Sequence, residues 1–243
     1  MRRIVAGAAL AGAAVLTTGG CGTTFEAEEV HAARSFPFTG AELRISTSLG
    51  GLRVLPGTSG KVEVERWVRG KAAEDGEATW SLRDGTLRLS AHCTLVFGDC
   101  GARYHVRVPP SARLSIDAQD GVILNDLTQD ADVSTHGRIQ VSGSSGALRL
   151  KADDQSINGS GLKSADVVAR TRTGMITLTF TAPPQKVDLR SRHGRVTTTL
   201  PRDDYKVTAK SVYGSEHSDL TSTDSPRDVV ARSESGDVRV LAR

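Results

Sequence analysis

The chain has 243 residues, 38% of them hydrophobic and 24% charged, a balance that excludes a disordered polypeptide and is ample for a buried core. Lys+Arg number 31 against 28 Asp+Glu, and removing Arg2 and Arg3 with a leader leaves 29 against 28, or +1. A chain so near neutrality is excluded as a bulk nucleic-acid binder, so any electrostatic partner must meet a local patch.

Residues 1–20 read as a signal peptide. Arg2 and Arg3 form the charged start, Ile4–Leu16 the apolar stretch, and Thr17-Thr18-Gly19-Gly20 the small polar end. An apolar run of roughly a dozen residues is too short to span a hydrocarbon core of roughly 30 Å. Thr18-Gly19-Gly20-Cys21 resembles a bacterial lipobox, with Thr18 where leucine is usual. The sequence therefore predicts a lipid on Cys21, holding the chain on the extracytoplasmic face of the cell membrane. A plain secretory signal with an incidental cysteine is the alternative. Residues 21–40 read as a polar tether carrying Glu26, Glu28 and Glu29, and residues 41–243 as the folded domain.

Aromatic residues make up only 4%, while Val, Thr, Ser, Gly and Asp recur in short alternations that favour thin, layered β-structure. Val62–Val68, Thr79–Leu89 and Arg103–Val108 read as longer antiparallel strands that include Trp67 and Trp80, with a hairpin turn at Asp84-Gly85. This part either starts the main domain or caps its exposed end. Cys93 and Cys100 bracket a short turn, a spacing suited to a structural disulfide and unlike the Cys-x-x-Cys of redox pairs. His92 and His105 lie nearby, but His92 beside Cys93 points to the opposite face of a strand, so no metal site is expected.

Beyond residue 41 the chain repeats itself about a glycine. Leu43-Arg44-Ile45-Ser46-Thr47 precedes Gly50, Val167–Thr171 precedes Gly174, Val187–Ser191 precedes Gly194, and Val229–Ser233 precedes Gly236. Weaker copies surround Gly121, Gly137, Gln155 and Gly214. A step of roughly 16 to 22 residues belongs to a solenoid. Each copy is two short strands joined by a tight turn, where glycine is expected to supply a positive φ. Positions seven, five and three before the glycine, and two and four after it, share one inward face. A small hydroxyl column (Thr47, Ser134, Thr171, Ser191, Ser211, Ser233) closes each first strand. The predicted fold is all-β: stacked strand repeats forming a β-solenoid akin to a parallel β-helix, with a longer-stranded N-terminal part. Antiparallel hairpins are the competing arrangement.

No nucleophile elbow, phosphate loop, dinucleotide fingerprint or zinc-protease motif is present, so no catalytic residue and no cofactor is predicted. His136 and His193 share a column but sit three coils apart, roughly 14 Å, too far for one metal. Around Gly214 the inward positions hold Glu216 and Ser218, with His217 and Asp219 beside them. A buried unpaired carboxylate is costly, so this strand is expected to leave the sheet, or else to form a polar site. Four residues before each glycine, Lys151, Arg170, Arg190, Lys210 and Arg232 fall on consecutive copies, with Arg172 and Arg192 alongside. In a solenoid they form a basic stripe fit for a polyanion; the bland alternative is a solvated, salt-screened face.

Tyr104-His105-Val106-Arg107-Val108-Pro109-Pro110-Ser111-Ala112-Arg113-Leu114-Ser115-Ile116-Asp117, running on through Ala118–Leu124, resembles a bacterial cell-envelope family described as a putative adhesin, a β-strand-repeat domain of unknown function. That family's pattern ends in Ser-Gly-Asp-Val repeats, which Ser235-Gly236-Asp237-Val238 matches. The resemblance spans about residues 41–243 and implies a stacked β fold at the cell surface, without catalytic residues. A non-enzymatic envelope lipoprotein follows as the expectation. It would reach the membrane through its N-terminal lipid, and its partner would be an anionic wall polymer or an unidentified envelope protein. An enzyme on envelope polysaccharide and an accessory or sensory subunit of a membrane partner are the alternatives; no carboxylate cluster on one outward face favours the former.

Overall fold

The computed structural model describes residues 28–93 and 100–243. The signal peptide and the lipidation site Cys21 lie outside the described residues. No helix among the described residues is long and apolar enough to cross a membrane.

The chain is a β-solenoid of two facing sheets, as its repeats predict. It opens with β1 (Glu29–Pro37), β2 (Glu42–Thr47), β3 (Gly51–Pro56), β4 (Lys61–Arg69), β5 (Ala78–Arg83), β6 (Thr86–Ala91) and β7 (Gly101–Val108). Regular two-strand coils follow: β8 (Arg113–Ala118) with β9 (Val122–Asn125), β10 (Ala131–Thr135) with β11 (Ile139–Ser142), and β12 (Leu148–Ala152) with β13 (Ile157–Leu162). Next come β14 (Asp166–Thr171) with β15 (Ile176–Phe180), and β16 (Lys186–Ser191) with β17 (Val196–Leu200). The last two coils are β18 (Lys206–Ser211) with β19 (Glu216–Ser218), and β20 (Asp228–Ser233) with β21 (Val238–Ala242). The first strand of each coil joins a ten-stranded sheet and the second an eleven-stranded one. Pairing along the stack is parallel and in register.

Period-two alternation places the strands. In β16, Val187, Leu189 and Ser191 are buried while Lys186 and Arg190 face water. Stacking then aligns like with like: Leu43, Leu114, Ala131, Leu148, Val167, Val187 and Val229 form one inward column. Leu52, Val122, Ile139, Ile157, Ile176, Val196 and Val238 form its counterpart in the facing sheet. Burying each Val, Leu or Ile of these columns stabilises the fold by about 1.5–3 kcal/mol before chain entropy is counted. Only about 10 Å separates two packed sheets, a layer filled mostly by branched aliphatics, with Tyr104, Phe180 and Tyr205 its largest fully buried side chains.

The turn glycines differ from expectation. Gly174, Gly194, Gly214 and Gly236 do not have positive φ. Each is instead pressed against its neighbour: a Cβ on Gly194 would collide with the Gly174 carbonyl, and one on Gly236 with the Gly194 carbonyl. Close approach, not handedness, demands glycine here. The hydroxyl column completes the contact. Ser191 Oγ accepts from Gly194 N at 2.8 Å and donates to Gly174 O at 2.9 Å. Ser233 repeats this with Gly236 N (2.9 Å) and Gly194 O (2.9 Å), and Ser211 with Gly214 N (2.8 Å) and Gly236 O (2.8 Å). In the shorter Gly137 copy the column residue is Thr135, not Ser134. Thr135 is buried, whereas Ser134 pairs with Lys151 on the outer face.

Both ends break chain order. The β2/β3 coil sits between β6/β7 and β8/β9, and β20/β21 sits between β16/β17 and β18/β19. The coil that ends the parallel stack on each side, β6/β7 or β18/β19, is therefore not the first or last coil in chain order. At the N-terminal end, β4 and β5 add antiparallel strands, and Asp84 (φ 48) and Gly85 (φ 72) form the expected hairpin turn. The longer-stranded region is thus both the start of the domain and its cap. The segment read as a tether up to Gly40 is a strand from Glu29 onward: β1 pairs antiparallel with β4 over its whole length. The disulfide forms between Cys93 and Cys100, whose Cα atoms lie 5.9 Å apart.

At the opposite end, β19 does not leave the sheet. It pairs in parallel with β21, Glu216 opposite Val238, as the last rung. Its inward side opens to solvent because no coil among the described residues covers it, so Glu216 and Ser218 are exposed and incur no burial cost. Inward-pointing polar groups on an edge strand also discourage further strand addition.

Candidate functional site

The outer surface of the ten-stranded sheet carries the predicted stripe. Lys151, Arg170, Arg190, Arg232 and Lys210 are consecutive cross-strand partners, one per coil, and all are exposed. Their spatial order departs from the sequence: Arg232 lies between Arg190 and Lys210, because β20 is inserted inside β18. Adjacent members are about 4.8 Å apart along the stack. Like charges so placed are mutually destabilising by about a few tenths of a kcal/mol per pair.

Acidic side chains meet only part of the row. Asp188, two residues before Arg190 on the same outward face, pairs with Arg170 Nη2 at 3.1 Å and Arg190 Nε at 2.8 Å. At the terminal coil Lys210 Nζ lies 3.5 Å from Glu216. Lys151 and Arg232 form no ion pair among the described residues. Asp188 is the residue that sequence reading missed. Alternation in Val187-Asp188-Leu189-Arg190 marks it as outward, and that signal could have placed it beside the stripe.

A shallow groove of about 350 Å³ runs beside the row, lined by Lys151, Asp153, Arg170, Arg172 and Arg192 among others. Arg172 binds Asp154, and this contact holds the Asp154 carboxyl below its usual range. Arg192 reaches Glu234 at 3.7 Å. The flanking arginines are thus paired, and the least compensated charge lies in the row itself.

Four positions further toward each strand's start, a second row crosses the same face. There Asp166, Lys186, Asp228 and Lys206 are consecutive partners. Sign alternates strictly in this row and not at all in the stripe.

Other candidates separate. His136 bonds to Asp153 at 3.1 Å and His193 to Ser235 at 3.1 Å, two independent turn contacts. Glu216 accepts the Ser211 N–H at 2.8 Å, while His217 turns to Asp219 at 2.8 Å, so the three do not converge. Backbone hydrogen bonds hold both carboxyls below their usual range, from Ser211 for Glu216 and from Ala242 for Asp219. Among the described residues no three His, Cys, Asp or Glu side chains are placed to hold a metal ion.

No family model and no curated protein matches the chain. Solved structures match it at low identity. One is a putative cell adhesion protein from Clostridium sporogenes, 9% identical, covering 89% of this chain and 100% of its own, with a TM-score of 0.44. Another is a putative adhesin from Bacteroides fragilis, 14% identical over 88% of this chain and 97% of its own, TM-score 0.45. A third, a putative adhesin from Parabacteroides merdae, is 11% identical over 87% and 96%, TM-score 0.33.

Proposed function

We propose that the chain is a non-enzymatic adhesin of the bacterial cell envelope, held at the membrane by a lipid on Cys21, whose ten-stranded face binds an anionic wall polymer. The observation that supports this is the contrast between two rows on one face. Where charges only have to coexist on neighbouring strands, alternation removes the repulsion, as from Asp166 to Lys206. The stripe keeps five cations of one sign in line. A flexible polyanion laid along the stack would meet one cation per coil and release its own counterions.

The test is binding of the protein to a poly(glycerol phosphate) wall polymer across a salt series. Substituting Arg170→Glu, Arg190→Glu and Arg232→Glu together should weaken binding about 100-fold at low salt and flatten its salt dependence. Binding that ignores both salt and the substitutions refutes the reading. Cys21 is tested separately, by whether Cys21→Ser releases the protein from the membrane fraction.

A further inference from the structure

The opposite face carries a different feature. Along the outer surface of the eleven-stranded sheet, Arg103, Gly51 and Gly121 occupy one cross-strand level on β7, β3 and in the turn before β9, with Arg138 beyond Gly121. Two neighbouring glycines thus leave a gap between two arginines whose backbones are three strand spacings apart, about 14 Å. The next level is walled by His105, Arg53, Ile123 and Gln140. Together with Gln155 these residues line a groove of about 380 Å³.

The two glycines at the mouth of β3 have unlike causes. Gly50 has φ +99°, and a Cβ there would collide with the Ala102 backbone, so its glycine is imposed by the fold. Gly51 has no positive φ, and a Cβ would meet nothing within 4 Å. Glycine in mid-strand forgoes about 0.5–1 kcal/mol relative to alanine, and Gly51, the first residue of β3, forgoes part of that. Neither backbone shape nor a neighbour requires it; what it preserves is the floor of the groove, open for a ligand to approach the main chain.

The walls specify the chemistry. Arg53 and Arg138 form no ion pair among the described residues. Arg103 is held in place, its guanidinium 4.7 Å over the Trp67 ring and 3.1 Å from Glu29. Trp67 in turn packs edge-on to His105, 4.6 Å between centroids, and stacks on His31 at 4.7 Å. Burial and then Arg53 and Arg103 hold the His105 pKa below its usual value, so its ring is neutral near pH 7 and serves as a hydrogen-bonding wall. The groove offers a flat backbone floor, amides at Gln140 and Gln155 for hydroxyls, and uncompensated guanidinium groups for one anion.

We infer that this groove is a binding site for a single sugar ring bearing an anionic substituent, a uronate or a sugar phosphate. It lies on the face opposite the cation row and stands whether or not that row binds a polymer.

The test is titration of the full chain with glucuronate, glucose 1-phosphate, glucose and inorganic phosphate, followed by calorimetry and by amide NMR shifts. Glucuronate or glucose 1-phosphate should bind and shift Arg53, His105, Ile123 and Gln140, with glucose and inorganic phosphate each at least about tenfold weaker. Gly51→Thr adds a strand-favouring side chain to the open floor; it should leave the melting temperature unchanged or raised and weaken binding at least about tenfold. Arg53→Gln with Arg138→Gln, which leaves the floor bare, should do the same. Glucose or inorganic phosphate binding as tightly as the anionic sugars would overturn the assignment. So would affinity unchanged by Gly51→Thr or by the arginine pair, or no binding of either anionic sugar.

Discussion

The two outer faces of this solenoid are built from the same coils and follow different rules. On the ten-stranded face a row of cations runs unbroken over five coils, from Lys151 to Lys210. On the eleven-stranded face the matching level reads Gln140, Asn158, Thr177 and Thr197, uncharged for four coils before Arg239, which pairs with Asp237; two cations without an acidic partner among the described residues, Arg53 and Arg138, lie at one groove near the N-terminal end. A one-dimensional stack repeats whatever a single coil presents, so a face becomes either a line or a point. The first arrangement suits a polymer and the second a single ring.

The comparison breaks most completely if the shared interior is damaged. Leu178 is fully buried in the inward column between β13 and β17. Leu178→Ala should cost about 2–5 kcal/mol, read as a lower melting temperature with both binding activities lost together on unfolding. A cost under about 1 kcal/mol would mean the interior is not packed as described.

The ends come next. With Glu216→Val and Ser218→Val the last rung loses its inward polar groups. The protein should then self-associate, seen as a concentration-dependent rise in sedimentation coefficient, whereas the parent stays unchanged. A monomeric double variant would show that something else guards that edge.

Asp188 sharpens the difference between the rows. It lies between Arg170 and Arg190 and offsets both. Asp188→Asn should strengthen polymer binding by about two- to fivefold, since an exposed pair is worth about 0.2–1 kcal/mol, and leave the groove's affinity for an anionic sugar unchanged. Weaker polymer binding would instead make Asp188 an organiser of the two arginines.

The smallest effect is a pH dependence on the groove face. His105 is faced by Arg53, by Arg103 and Arg107 on its own strand, and by Glu65 on β4, and its pKa is lowered by burial first and then by the arginines. Below the unfolded value of about 6.5 the unfolded chain takes up this proton more readily than the folded one. Stability attributable to His105 therefore falls as pH drops through 6.5 toward the lowered folded value and is steady above pH 7.5. The difference in melting temperature between the parent and His105→Gln should show that trend, and a difference independent of pH would contradict it.

Much of this was legible in the sequence. Period two and the recurring glycine specify stacked coils, because an aliphatic set such as Val187 and Leu189 can be buried only by an identical neighbour. The stripe was legible for the same reason, as a fixed offset from the glycine becomes a column. What escaped were features that depend on which coil stacks on which. Nothing local in 228–242 says that this segment slips between two earlier coils, so Glu216 looked like a defect in the interior and not like the end of it. The reason for glycine at 194 and 236 also lies in a carbonyl of the next coil, not in its own turn. The groove was missed because Gly51 and Gly121 are 70 residues apart in the chain and meet only through register.

The most direct test sets two pairs of substitutions on the same face against each other, equal in number and in charge change. One reverses Arg170 and Arg232 in the uniform row; the other reverses Lys186 and Lys206 in the alternating row. Affinity for poly(glycerol phosphate) is measured for both at low and high salt. If the ordered row is the binding element, the first pair should lose about tenfold or more and the second less than about twofold at low salt. Equal losses would mean that net charge alone is read, and would contradict the account.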